Sequence, residues 1–375
     1  MMPLSPQVFD AVAGRDSAAG PPPQAYRAAA GVSARLWATS VLLMVAVVLG
    51  SGTPAAAQPP ARYQGSRRCM GVTWQISVYA TDALVARKGV QAALDEVSRL
   101  EQVLSDYLPT SELCRLSAAA PTAQPVSVGD DLWQVLVQAV ALREQSGGAF
   151  DPTVGPLTTL WRQARQSGRL PAPDQLDQAR RAVGPNTLTL HQRQQAVCLH
   201  RPGMRLDLGG IGMGFAIDRA LAVVQTYGIT EAMVDASGDI GVIGCPPGKA
   251  GWQVRLDPLG RQPQQQAEAP QRPCVVTLVD AAITTSGDAF QAVVIDGVRY
   301  SHIVDPRTGL GVIGPTGVTV IAPTATQADA VATTLSVLGP GEGLPLVEGI
   351  PGAAARFVRS EDGKAVEKAS SRWPL

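Results

Sequence analysis

The chain of 375 residues carries 31 Lys+Arg against 31 Asp+Glu, a formal charge of zero, which speaks against a nucleic-acid binder with its usual basic excess. With 45% hydrophobic and only 17% charged residues it can bury a sizeable core and is not disordered as a whole. Its 38 glycines and 30 prolines disfavour a helical bundle.

Residues 1 to 34 are rich in Ala, Pro and Gly without periodicity, and Arg35 then precedes the apolar run Leu36 to Leu49. That run is shorter than the roughly 20 residues a membrane span needs. Gly50, Ser51, Gly52 and Pro54 follow, then Ala55-Ala56-Ala57, which fits the small-residue cleavage pattern of a secretory signal. The expectation is an exported protein cleaved after Ala57 or, uncleaved, an anchored one, with residues 58 to 375 as its folded domain. The five cysteines, Cys69, Cys114, Cys198, Cys245 and Cys274, include no CxxC pair, which argues against a thiolate zinc site or a thioredoxin-type centre. An oxidising compartment would allow one or two disulfides, but buried free thiols are expected for most of the five.

From Val72 the residues alternate, with Val72, Trp74, Ile76 and Val78 on one face, which predicts a half-buried strand. Val90, Leu94, Val97, Leu100 and Leu104 recur at spacings of three and four, a long amphipathic helix ending before Ser105-Asp106-Tyr107. A second helix fits Leu132 to Glu144, closed by Gly147-Gly148, and Asp151-Pro152 opens an irregular stretch. Residues 187–190 and 196–200 read as a hairpin. Past Asp207 comes a glycine-rich turn, and then Ile217, Leu221 and Val224 keep helical spacing.

The last third reads mostly as strand. Residues 232–244, 252–256 and 274–279 are short apolar runs, Gln262 to Pro273 reads as a mobile loop, and Asp296-Gly297 marks a tight hairpin turn between 293 and 300. A helix over 325–338 follows a strand over 317–322. Strands and helices mix without βαβ regularity or a repeat, which predicts an α+β domain.

Four polar clusters sit at turns between these segments. In Ser301-His302-Ile303-Val304-Asp305-Pro306-Arg307-Thr308-Gly309 a histidine ends a hairpin strand, suited to proton transfer near neutral pH or simply to a single hydrogen bond. His191 and His200 have no metal spacing and read as structural. Asp207-Leu208-Gly209-Gly210-Ile211-Gly212-Met213-Gly214 enters a helix, where bare backbone admits either a phosphate-bearing ligand or close packing. On the next helix Asp329 and Thr333 are four apart and share a face. They offer oxygen ligands to a hard cation such as Mg²⁺, or are a dipole-stabilised Asp and a Thr bonded back to a carbonyl. The fourth cluster comprises Ser286-Gly287-Asp288, Ala149-Phe150-Asp151-Pro152 and Asp106-Tyr107-Leu108-Pro109, each compatible with ordinary turn chemistry.

Taken in chain order with Met70-Gly71-Val72-Thr73-Trp74, these motifs resemble those of the FAD:protein FMN transferase (ApbE) family, over residues 70 to 333. The resemblance implies a T-fold-related α+β fold of mixed sheets with flanking helices and FAD in a central cleft. It implies an exported, periplasmic or membrane-facing enzyme that uses Mg²⁺ to move the FMN part of FAD onto a Thr or Ser hydroxyl of a target flavoprotein, releasing AMP. Residue by residue, it implies FAD contacts at Met70, Tyr107, Ala149, Phe150, Asp151, Asp207, Met213 and Ile303, metal ligation by Asp329, Thr333 and the Gly210 carbonyl, and His302 assisting the acceptor hydroxyl, with Asp288 orienting it or the acceptor.

Two positions depart from the family pattern: Met213 stands where a charged residue, often Lys, is usual, and Ser237 replaces one member of a Gly-Gly pair. The family's target motif, Ser/Thr-Gly-Ala-Ser/Thr, does not occur in this chain, so the acceptor is expected to be another protein. Two rival expectations stand beside transfer: hydrolysis of FAD to FMN and AMP at the same metal-bound pyrophosphate, and FAD binding without catalysis.

Overall fold

The computed structural model describes residues 59–256, 274–287, 291–314, 316–361 and 364–374, and Pro59–Leu375 form one compact unit. The proposed signal segment, Gln262 to Pro273 and Asp288 lie outside the described residues.

The fold begins with a hairpin of β1 (Ala61–Cys69) and β2 (Val72–Ala80). Its two-residue turn places both Met70 and Gly71 in the left-handed region, at φ 49° and 79°, the twist that closes a tight hairpin. Trp74, Ile76 and Val78 are fully buried, as the alternation predicts. The long helix α1 (Ala83–Leu104) follows, capped by the Asp82 carboxylate, and all five residues of its predicted stripe are buried. A short α2 (Glu112–Ala118), β3 (Val126–Ser127) and α3 (Asp130–Gln145) come next.

Beyond Asp151-Pro152 the expectation of irregular chain is corrected. Residues there form α4 (Gly155–Ser167) and α5 (Pro173–Arg180). Leu157, Trp161 and Ala164 bury one face of α4, a proline starts it and Gly168 in the left-handed conformation ends it, so both the spacing and the stop signals were present. The hairpin β4 (Leu188–His191) and β5 (Ala196–Leu199) has the predicted pairing and leads to α6 (Gly212–Thr226).

The run 232–244 divides into β6 (Glu231–Ala236) and β7 (Asp239–Ile243) around Ser237-Gly238. There follow β8 (Trp252–Leu256), β9 (Cys274–Leu278), β10 (Ala281–Gly287), β11 (Ala292–Ile295), β12 (Val298–Val304), β13 (Gly311–Ile313) and β14 (Thr316–Ala322). Next are α7 (Ala325–Glu348), broken at Gly339 with φ 67° where the predicted helix ended, and the strands β15 (Ala354–Glu361) and β16 (Lys364–Ala369).

Every ladder among the described residues is antiparallel. The main sheet has eight strands in the order β1-β2-β6-β7-β10-β14-β15-β16. Helices α1, α6 and α7 pack on one face of it, and the β8–β9 hairpin covers the other. β7 shows how: Ile240 and Val242 pack with Trp252, Val254 and Val276, whereas Gly241 between them leaves room for Ile217 and Leu221 of α6. A smaller sheet, β11-β12-β13, packs on α4 through Leu157, Trp161, Ile295 and Val304. All five cysteines are free. No helix among the described residues is long and apolar enough to cross a membrane.

Candidate functional site

The first turns of α6 and α7 meet almost backbone to backbone. A side chain on Gly214 would run into the main chain of Ala325 and Thr326, so only glycine allows the approach. Across that contact the Gly214 N–H donates to Asp329 Oδ2 at 3.0 Å. One turn further along α6, the Asp218 carboxylate accepts the N–H groups of Ala325 and Thr326, both at 2.8 Å, and the Thr326 hydroxyl at 2.5 Å. Those bonds satisfy donors that a helix start leaves open and fix the rotation of α7 about its axis.

With that rotation fixed, Asp329 and Thr333 face the glycine-rich turn. A Cβ on Gly210 would stand 2.8 Å from the Thr333 hydroxyl, so the bare backbone of Gly210 lies directly against it. Ser286 Oγ on β10 is 3.4 Å from Thr333 Oγ1. The alternative of Thr333 bonding back into its own helix is taken instead by its neighbour, Thr334, which donates to the Ala330 carbonyl at 2.7 Å.

The electrostatics mark a place short of positive charge. Asp329 is 4% exposed, and burial pushes its carboxyl up to about 7, relieved in part by the Gly214 N–H and raised again by Asp218. Asp239 at the start of β7 is held well above the carboxylate range by desolvation and by the nearby Asp329. Among the described residues no cluster of three or more His, Cys, Asp or Glu side chains could hold a metal. The oxygen donors shown at this corner are a carboxylate and a hydroxyl, beside the bare backbone of Gly210. They suit a hard cation that takes one or two protein carboxylates and completes its shell with phosphate oxygens and water.

A second group lies on α4, the helix that the sequence left irregular. Arg162 places its guanidinium 4.2 Å from the centre of the Tyr107 ring and pairs with Asp106 at 2.6 Å and Asp207 at 3.2 Å. The Thr158 hydroxyl donates to the same Asp207 oxygen at 2.7 Å, while the other oxygen accepts the Gly209 N–H at 2.8 Å. Arg205 donates to the Asp106 carbonyl. Burial, then the charge of Asp207, raises the Asp106 carboxyl, and Arg162 opposes both. The ring of Tyr107 itself is 69% exposed.

The Ala149-Phe150-Asp151 segment is buried and joins this group through its continuation, since the Asp207 N–H donates to the Pro152 carbonyl at 2.9 Å. Asp151 Oδ1 accepts both the N–H and the hydroxyl of Thr153, at 2.8 and 2.6 Å, and burial raises its carboxyl. Met70 is held in its left-handed turn by Glu101 of α1, whose Oε1 accepts the Met70 N–H at 2.6 Å. Met213 is half-buried in the first turn of α6, beside Gly214.

His302 sits on β12, a strand that lies beside α7. The register of β12 against β13 shifts between Tyr300 and Val304, an irregularity of the kind that re-aims side chains. Its N–H donates to the Gln291 carbonyl at 3.0 Å and its Nδ1 lies 3.2 Å from the same oxygen. Ile303 is buried next to it.

Gly210, Asp329 and Thr333 thus meet at one corner, and Tyr107, Asp207 and the segment after Asp151 at an adjoining one, linked through Asp207 and Gly209. Sequence reasoning missed Arg162, Thr158, Asp218 and Glu101. The first two follow from reading α4 as a helix, because they fall four apart on one side of it, flanking the buried face of Leu157, Trp161 and Ala164. Nothing in the local sequence pointed to Asp218 or Glu101, whose partners lie 107 and 31 residues away.

The model of the ApbE family matches residues 70–357. The FAD:protein FMN transferase of Treponema pallidum is 34% identical over 284 residues, covering 71% of this chain and 76% of that protein. The Escherichia coli K12 protein of the same name is 31% identical, covering 64% and 68%. Among solved structures, the flavin transferase ApbE from Vibrio cholerae superposes with a TM-score of 0.73 at 28% identity, over 84% of this chain and 98% of that one. The ApbE protein from Thermotoga maritima gives 0.72 at 29%, over 83% and 97%.

Proposed function

This chain belongs to the ApbE family, and from that premise we infer that it is a flavin transferase, moving the FMN part of FAD to a Thr or Ser hydroxyl of an acceptor flavoprotein with release of AMP. The observation that carries the reading at this site is the shared face of α7, which sets the Thr333 hydroxyl against the bare backbone of Gly210 and the buried Asp329 carboxylate against the Gly214 N–H.

Asp329, Thr333 and the Gly210 carbonyl would hold Mg²⁺, and the bound ion would offset the pyrophosphate charge and make AMP a better leaving group. The Gly214 N–H fixes one Asp329 oxygen and leaves the other for ligation. Met70, Tyr107, the Ala149-Phe150-Asp151 segment, Asp207, Met213 and Ile303 bind the dinucleotide in a central cleft. With Nδ1–H directed at the Gln291 carbonyl, neutral His302 presents Nε2 as the base, which takes the proton of the acceptor hydroxyl. The hydroxyl oxygen bonds to the FMN phosphorus as the bond to the AMP oxygen breaks. Asp288 orients His302 or the acceptor. The chain acts outside the cytoplasm, in the periplasm or held at the outer face of the inner membrane, a reading supported by the apolar run 36–49 and the alanines that follow it.

The test incubates the purified protein with FAD, Mg²⁺ and a Thr-bearing acceptor fragment. Flavin fluorescence covalently attached to the acceptor is the expected result. Free FMN without labelling would replace transfer by hydrolysis, and bound FAD with neither product would leave a binding protein.

A further inference from the structure

Arg162 is the only side chain described that touches Tyr107, Asp106 and Asp207 together, and it comes from a different element than any of them. Its position answers two physical problems at once. Asp106 and Asp207 are buried carboxylates near enough that the charge of Asp207 opposes ionisation of Asp106, and an anionic ligand arriving beside them would be repelled unless a cation sits between. Tyr107 is an exposed aromatic ring on a loop, which would cost rotamer freedom to hold still for a ligand. A guanidinium 4.2 Å from the ring centre meets both needs, because its planar fork pairs with carboxylates while its face lies along an aromatic one.

We propose that Arg162 is the positioning residue of the dinucleotide site: it backs one face of Tyr107, so that the other face is a pre-set platform for a planar ring of FAD, and it neutralises the Asp106–Asp207 pair alongside. This rests on the reading above that the chain binds FAD. In this role Arg162 acts through Tyr107 and Asp207, so it governs binding of the dinucleotide and not the rate of transfer once bound. Thr158 supports the same arrangement by occupying the Asp207 oxygen that faces Arg162. A lysine in its place would keep the charge and lose the planar contact with the ring.

The experiment measures FAD binding by fluorescence quenching, and KM and kcat for transfer, in the unmodified chain, Arg162→Gln, Arg162→Lys, Tyr107→Leu and the Arg162→Gln/Tyr107→Leu pair. The expected result is a rise of about tenfold in Kd and KM for FAD in Arg162→Gln with kcat within about twofold, and a smaller rise in Arg162→Lys. In the double variant the loss should fall well short of the product of the two single losses, since both changes disable one platform. Unchanged KM in Arg162→Gln, a loss confined to kcat, or losses that multiply would each overturn the proposal. If Arg162→Gln melts early, Tyr107→Leu, altered at an exposed ring, decides: unchanged FAD binding there refutes the platform. An unmodified chain that binds no FAD would sink the flavin reading and this inference with it, a result distinct from normal binding by the chain and its variants alike.

Discussion

Between α6 and α7 the main chains lie so close that Gly214 admits no side chain, and Asp329 is held by a backbone N–H and buried on all sides. Around α4, by contrast, the candidate residues are held by ion pairs and a ring contact, and Tyr107 stands largely in solvent. Two neighbouring parts of one site are therefore rigid by different means, one by backbone packing and one by charge. Packing tolerates no added atom, because interiors are near crystal density and neighbouring backbone cannot give way. The ion pairs around Arg162, whose carboxylate partners are buried, depend instead on both members being present, since removing one leaves a buried charge uncompensated.

That contrast orders the expected effects of mutation. The largest belongs to Gly214→Ala, whose methyl would meet Ala325 backbone; destabilisation of about 3 kcal/mol is expected, read as a fall in Tm. A protein that melts normally with this change would show the helices are free to separate. Next comes Asp329→Ala, expected to lower Mg²⁺-dependent transfer by about a hundredfold. Residual activity that is the same in chelator as in Mg²⁺, and equal to that of the unmodified protein, would remove Asp329 from the metal. For His302→Ala, FAD binding should persist while transfer falls by about a hundredfold; undiminished labelling of the acceptor would dismiss it as the base. The smallest effect is on the polar side. Thr158→Val removes one hydrogen bond to Asp207 and should weaken FAD binding about fivefold. If the order of the first and last were reversed, the distinction between packed and charge-held halves would be wrong.

Legibility followed the same division. Helix α1 and strand β2 were readable because their buried stripes repeat at 3.6 and 2 residues, and burial of Leu94, Leu100, Trp74 and Ile76 obeys that repeat. The hairpin at Asp296-Gly297 was readable because few residues tolerate two successive left-handed positions. Helix α4 carried its signals too, yet Asp151-Pro152 and the polar residues on its outer face obscured them. The run 232–244 looked like one apolar segment because both of its strands are half-buried, and only the turn at Ser237-Gly238 separates them.

By itself the sequence determined what local periodicity and turn chemistry can encode: an α+β domain, the main helices and hairpins, and the placing of Asp329 and Thr333 on one helical face. The tertiary structure alone decided that this face meets Gly210, that Asp218 locks the helix carrying it, and that Arg162 reaches Tyr107 and Asp207 from a helix of its own. The physical reason is range. Periodicity acts over a few residues, whereas the charge pairs and backbone contacts that shape the site join residues 45 to 123 apart in the chain, and only packing brings those together.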